Sequence, residues 1–255
     1  MDLRLKGNRV LVTGGSKGIG ASCGRVFLQE GCSVILVSRD AARLASTAAE
    51  LKALGPIETC AADLSNPAER LRVASTYPDV TILVNNAGAI PGGGLLDMTM
   101  ERWQEAWNLK VMGYIHMTQL YLAKMKERKS GTIVNITGSA GRSPRYDYIC
   151  GATGNAALMA FTGAVGGKAV DWGVRIFAIN PAATRTDRII TLTKARAQTN
   201  FGDESRWEEL LGKLPLDRMA EPDEIGNMAA FLASPACGYV SGATIDVDGG
   251  GAFRS

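Results

Sequence analysis

RVLVTGGSKGIG, residues Arg9 to Gly20, is the stretch from which the rest of the chain is read. Its first five residues form a continuous apolar, β-branched run, as expected of a parallel strand covered on both faces. Gly14, Ser16, Lys17, Gly18, Ile19 and Gly20 follow as a glycine-rich turn opening a helix to about Gln29, with Ile19, Cys23, Val26 and Phe27 on one face. Gly31 stands where a helix-ending glycine belongs. Glycines in such a turn make it tight, bring backbone within reach of a pyrophosphate and let helix pack closely on strand. The helix N-terminus then offers free N–H groups and a dipole that favours anions. T-G-x-x-x-G-I-G between strand and helix is far more specific than a lone G-x-G-x-x-G, for which an ordinary glycine turn is the plain alternative. It predicts the first βαβ unit of a dinucleotide-binding domain.

Moving outward, Ser33 to Val37 reads as a second strand ending in Ser38-Arg39-Asp40. A site selective for NAD wants an acid at this strand end for the ribose 2′-hydroxyl, whereas a 2′-phosphate wants an arginine. Ser38 and Arg39 occupy the place, and Lys17 can approach the same phosphate, so NADP is favoured over NAD. Asp40, one past Arg39, is better placed to start the next helix.

With 46% apolar and 21% charged residues and a formal charge of +3, the 255-residue chain has the make-up of a soluble globular protein with a sizeable core. No Lys/Arg run or aromatic-basic interleaving points to nucleic acid. Apolar runs such as Val34 to Val37 and Thr81 to Val84 are too short to cross a bilayer, and no signal-peptide pattern opens the chain, so no membrane is expected. Five scattered cysteines without a C-x-x-C pair imply a reduced, cytoplasmic setting. The single histidine, His116, leaves no cluster for a metal. Size alone permits one or two domains, but the absence of a linker or repeat favours one domain over 1–255.

From T-G-x-x-x-G-I-G onward the sequence resembles the short-chain dehydrogenase/reductase family, over roughly residues 7 to 251. The resemblance implies a doubly wound, Rossmann-type α/β domain, a parallel sheet with helices on both faces. It implies that Asp63 and Leu64, after a third strand at Ile57 to Ala61, lie by the adenine, although a turn aspartate before Ser65-Asn66-Pro67 explains Asp63 nearly as well. Asn85-Asn86-Ala87-Gly88 after the fourth strand, Val80 to Val84, matches the family's N-N-A-G, which places Asn86, Ala87 and Gly88 against the cofactor. Asn108, in a helix from Thr99 to Lys129, matches the asparagine that holds a water near the active site; a packing asparagine is the alternative. Asn180-Pro181-Ala182-Ala183-Thr184-Arg185-Thr186 resembles the P-G-x-x-x-T loop, with Ala182 for glycine, and implies that Pro181, Ala182, Thr184 and Thr186 face the nicotinamide. A polar, irregular stretch of about 187–214 corresponds to the substrate lid, where Arg185, Arg188 and Lys194 could meet an acidic substrate or simply be solvated. A homodimer or homotetramer is likewise implied.

One stretch departs from the family. In YDYICGATGNAALMAF, Tyr146 to Phe161, the register set by the strand Gly131 to Ile136 and by Asn180-Pro181 puts the serine on Gly138, the tyrosine on Gly151 and the lysine on Asn155. No Y-x-x-x-K occurs in the chain. Ser139 is the nearest carbonyl donor and Tyr148 the best replacement acid, with a wall residue the equal alternative for Tyr148; Tyr146, Asp147 and Cys150 are weaker. Asn155 keeps the donors and acceptor needed for ribose hydroxyls. The glycines remove volume beside the expected nicotinamide, leaving space for a bulky small-molecule substrate. These readings predict an NADP-dependent oxidoreductase of a carbonyl/alcohol pair with a non-standard proton donor. The alternative is a catalytically degenerate cofactor-binding subunit or sensor, or a non-redox enzyme such as a lyase.

Overall fold

A computed structural model of the chain describes residues 1–212 and 214–253. Seven strands, β1 (Arg9–Thr13), β2 (Ser33–Ser38), β3 (Ile57–Ala61), β4 (Ile82–Asn85), β5 (Gly131–Ile136), β6 (Val174–Pro181) and β7 (Thr244–Val247), form one sheet in the order β3-β2-β1-β4-β5-β6-β7. Every pairing is parallel. The chain winds outward from β1 to β3, returns to β4 and continues the other way. The crevice where an open α/β sheet takes its ligand therefore lies at the C-terminal ends of β1 and β4.

Helices α1 (Gly18–Gln29), α2 (Ala41–Leu51), α3 (Pro67–Thr76), α4 (Met100–Leu109), α5 (Val111–Arg128), α6 (Ile149–Ala169), α7 (Asp187–Phe201) and α8 (Pro222–Ala233) complete the fold. Side chains alternate along the central strands. Val10, Val12, Val34 and Leu36 pack with Phe27 of α1 and Ile225 of α8, whereas Leu11, Ile35 and Val37 pack with Val73 of α3 and Tyr121 of α5. Burial on both faces is why the strands read as unbroken apolar runs.

Three elements differ from the sequence reading. The helix expected from Thr99 to Lys129 is two, because the chain bends at Lys110, whose ammonium donates to the carbonyls of Ile136 and Thr137 at the end of β5. Most of the lid expected to be irregular is α7, capped by the Thr186 hydroxyl, which accepts from the Ile189 amide, and ended by Gly202 at φ 70°. Its polar composition hid the helix. Finally, Ile149–Trp172 is long and apolar enough to cross a bilayer by length and composition, contrary to the short-run expectation. Its glycines instead allow close packing in the fold: a Cβ on Gly166 would lie 2.6 Å from the backbone of Gly242.

All five cysteines are free and buried. Among the described residues, no group of three or more His, Cys, Asp or Glu side chains is arranged for a metal ion.

Candidate active site

A cleft of about 960 Å³ opens at the strand ends, lined among others by Ile19, Asn86, Lys110, Ser139, Tyr148 and Asn155. Its floor joins the glycine turn to the N-N-A-G loop. Asn86 donates from Nδ2 to the carbonyls of Thr13 (3.0 Å) and Gly14 (3.2 Å), while the Thr13 hydroxyl accepts from the amides of Asn86 (2.8 Å) and Ala87 (3.0 Å). A Cβ on Gly20 would meet the Gly14 carbonyl oxygen at 2.2 Å, so the turn closes this tightly only with glycine. Gly18, at φ +55°, faces the methyl of Thr186, bringing the start of α7 over the same turn.

At the β2 end, the Ser16 hydroxyl donates to that of Ser38 (3.1 Å), and Lys17 and Arg39 extend into solvent beside them. Asp40 caps α2 through the Arg43 amide. Asp63 accepts from the amide and hydroxyl of Ser65, as the turn reading requires. Burial works against its charge, but those bonds and Arg39 hold its carboxyl below the usual range. Leu64 is core, so only its backbone can face a ligand. At the β6 end, Pro181, Ala182, Thr184 and Thr186 line the cleft, with the Thr186 hydroxyl engaged in capping α7.

The positions onto which the sequence register puts the family's triad have a common geometry. A Cβ on Gly138 would lie 2.8 Å from Asn155 Nδ2, and one on Gly151 would lie 2.1 Å from Cε1 and 2.6 Å from the hydroxyl of Tyr148. Each glycine is thus overlain by a neighbouring side chain. The space at Gly151, expected to be open to a ligand, is occupied by the Tyr148 ring, which packs with Ile90, Met98 and Cys150. Asn155 is 3% exposed, and its Oδ1 accepts no hydrogen bond from the described residues. Ser139 begins a short turn at the same wall.

Asn108 requires a correction. Its side chain is exposed on α4 and does not line the cleft, whereas Lys110, two residues on, does. The Lys110 stem crosses Gly88, whose added Cβ would meet Lys110 Cδ at 2.9 Å, and its ammonium donates to the carbonyls of Thr137 (2.8 Å) and Ile136 (3.2 Å). Burial, and then the charge of Arg188, push the Lys110 ammonium down to about 7. No catalytic motif in the sequence marks this lysine; its position two past Asn108 is the only hint.

Arg188, from the first turn of α7, donates to the carbonyls of Gly88 and Ile90 and lies beside Tyr148. Burial pushes the Tyr148 phenol up, and Arg188 partly reverses this through its charge and its N–H groups. Of the other cations near the lid, Arg196 and Arg145 pair with Asp147 and Arg185 with Glu221, whereas Lys194 makes no ion pair among the described residues. Burial raises the Cys150 thiol, with a smaller opposing effect from Trp107.

Residues 8–197 match the family model described as short chain dehydrogenase. The chain belongs to the short-chain dehydrogenase family. Among its relatives, a 7alpha-hydroxysteroid dehydrogenase of Escherichia coli (strain K12) is 31% identical, with 98% of this chain and 96% of that protein covered. An oxidoreductase, UcpA, of Salmonella typhimurium is 34% identical over 97% and 95%. Among solved structures, L-sorbose reductase from Gluconobacter frateurii, complexed with NADPH and L-sorbose, superposes with a TM-score of 0.91 at 28% identity over the whole of both chains. Membership in this family of named dehydrogenases and reductases makes the chain an NAD(P)-dependent oxidoreductase.

Proposed function

We propose that this short-chain dehydrogenase uses NADP to interconvert a carbonyl compound and an alcohol, with Tyr148 in place of the family's tyrosine. The residues present fit the dinucleotide: Gly14 and Gly20 let the turn at the start of α1 close against Asn86 and Ala87, where a Cβ would collide, and the buried, unpartnered Oδ1 of Asn155 is an acceptor suited to a sugar hydroxyl. Arg39 and Lys17, together with the absence of an acid at the β2 end, favour a 2′-phosphate. The NADPH-bound L-sorbose reductase supports the same preference.

The observation that carries the reading is the Tyr148 ring lying over Gly151, with Tyr148 among the residues that line the cleft. The dinucleotide, when bound, supplies the hydride for reduction. Tyr148 gives the proton to the carbonyl oxygen and regains one from water, so C=O becomes CH–OH with one hydride and one proton taken up. The Ser139 hydroxyl polarises the same oxygen. Since its phenol is held above the ordinary value of about 10, Tyr148 stays protonated near neutrality and serves as an acid, but is a poor base. Reduction at neutral pH is accordingly the favoured assay direction, with oxidation accelerating as pH rises.

A cytoplasmic homodimer or homotetramer belongs to this reading, supported by free cysteines and by Met112, an apolar residue left 48% exposed on α5. Sedimentation measures the assembly. The functional test is NADPH binding by cofactor fluorescence, followed by a carbonyl screen for NADPH consumption with wild type and Tyr148→Phe. Unchanged turnover in that variant would refute the assignment of the donor.

A further inference from the structure

Four cations line the cleft: Lys110, Arg145, Arg188 and Arg196. Arg145 and Arg196 share the single carboxylate of Asp147, so each is ion-paired at the mouth although the trio keeps one net positive charge. Lys110 and Arg188 differ, because among the described residues each donates to backbone carbonyls and neither pairs with a carboxylate. The remaining acids of the lining are committed too: Asp97 accepts from the Gly94 amide, and Asp248 from the amides of Gly250 and Ala252. These two half-buried groups have no acidic counter-ion among the described residues, and an arriving anion supplies one. Arg188 also has donors to spare: a guanidinium carries five N–H groups, and the two bonds to Gly88 and Ile90 leave a fork for a planar anion.

We propose that the substrate carries a carboxylate close to its reacting carbonyl, as a 2- or 3-oxo acid or the matching hydroxy acid, held by Arg188 with Lys110 behind it. The position follows from Arg188 and Tyr148 lining the same cleft, so that a carboxylate on Arg188 and a carbonyl at Tyr148 belong to one small molecule. The inference rests on Tyr148 as donor for the reaction, but the anion site itself is read from the cations alone. The dinucleotide's phosphates are the competing anion, because the start of α7 also approaches the glycine turn at Gly18.

Calorimetric titration separates these sources. Benzoylformate and acetoacetate, each against its methyl ester, are titrated into the NADP-loaded protein at pH 6.5, and NADP binding is measured alone. At least tenfold tighter binding of the acids than of the esters is expected in wild type. Arg188→Gln should bring the ratio to within twofold while leaving NADP affinity within threefold. Lys110→Met, which preserves the stem against Gly88, should also reduce the ratio, guarding against misfolding of a single variant. Equal binding of acids and esters in wild type overturns the proposal. So does an Arg188→Gln protein that loses tenfold in NADP affinity with the acid-to-ester ratio intact, since its cation then serves the dinucleotide. Acids that bind with the expected preference but are never reduced uphold the anion site and refute the proposed reaction; reduction without preference does the reverse.

Discussion

Replacing Gly151 with alanine puts one methyl group where the Tyr148 ring now lies. The added carbon would stand 2.1 Å from Cε1, 2.2 Å from Cζ and 2.6 Å from the hydroxyl. Ordinary van der Waals contact begins near 3.4 Å, so the ring must retreat by 3.4 minus 2.1, or 1.3 Å, to tolerate the substitution. A reacting group displaced by about 1 Å loses on the order of a hundredfold in rate, roughly 2.7 kcal/mol of barrier. The fold should survive, because the colliding atoms belong to a side chain that can swing out. Alanine itself is better than glycine in a helix by about 1 kcal/mol, which offsets part of the lost packing against Ile90, Met98 and Cys150. Gly151→Ala should therefore lower kcat for carbonyl reduction by about a hundredfold while shifting the melting temperature by only a few degrees. Wild-type kcat in a folded Gly151→Ala protein would show that the ring over Gly151 has no part in proton transfer.

Arg39→Ala should weaken NADP binding by about 10- to 100-fold, the worth of a charge-assisted contact of about 1.5–3 kcal/mol, and leave NAD affinity nearly unchanged; equal losses for both would remove Arg39 from the 2′-phosphate site. Asn155→Leu removes the unpartnered Oδ1 with little change of shape, so dinucleotide affinity should fall about fivefold, roughly 1 kcal/mol, without a lower melting temperature. A large stability loss would mean that the amide is structural. Lys110 has a folded-state value pushed down to about 7, by burial first and Arg188 second, against about 10.4 in an unfolded chain. Between those values the unfolded chain binds more protons, so the contribution of this group to stability should rise with pH above about 7, and Lys110→Met should flatten that part of a denaturant-versus-pH series.

Much of the frame was legible because local chemistry and burial agree there. Arg9 to Gly20 is apolar where the sheet is covered and glycine where the turn and Asn86 crowd it, so strand, turn and helix can be read from one window. Asp40 as a cap and Arg39 at the strand end follow from spacing along single elements. The register that aligns Gly138, Gly151 and Asn155 with the family's triad draws only on the strand before and the helix after. Lys110 and α7 escaped for different reasons. The lysine matters because β5 carbonyls from residues 136 and 137 receive its ammonium, a pairing that only the folded sheet creates. The α7 lid carries too few apolar residues to show a helical stripe, and is held partly by Arg188 and Arg196 reaching other segments.

Under the proposed register, the two glycines are overlain by side chains that fill the places of the family's serine and tyrosine. Serine at 138 would have to displace the present Asn155 side chain, because its Cβ alone would approach Nδ2 to 2.8 Å. Tyrosine at 151 could not coexist with the Tyr148 ring at 2.1 Å. Restoring either residue singly therefore collides with the group that now fills its place, and Gly151→Tyr alone should be worse than Gly151→Ala. Recovery of a conventional arrangement requires at least the pair Tyr148→Ala with Gly151→Tyr, and then a lysine at 155, which in turn would bring a third cation toward Lys110 and Arg188. That added charge should depress Lys110 further and raise the affinity for anions. Substitutions at Gly138 and Gly151 are therefore expected to be non-additive with changes at the side chains that overlie them, a single substitution costing activity that only the combined change regains.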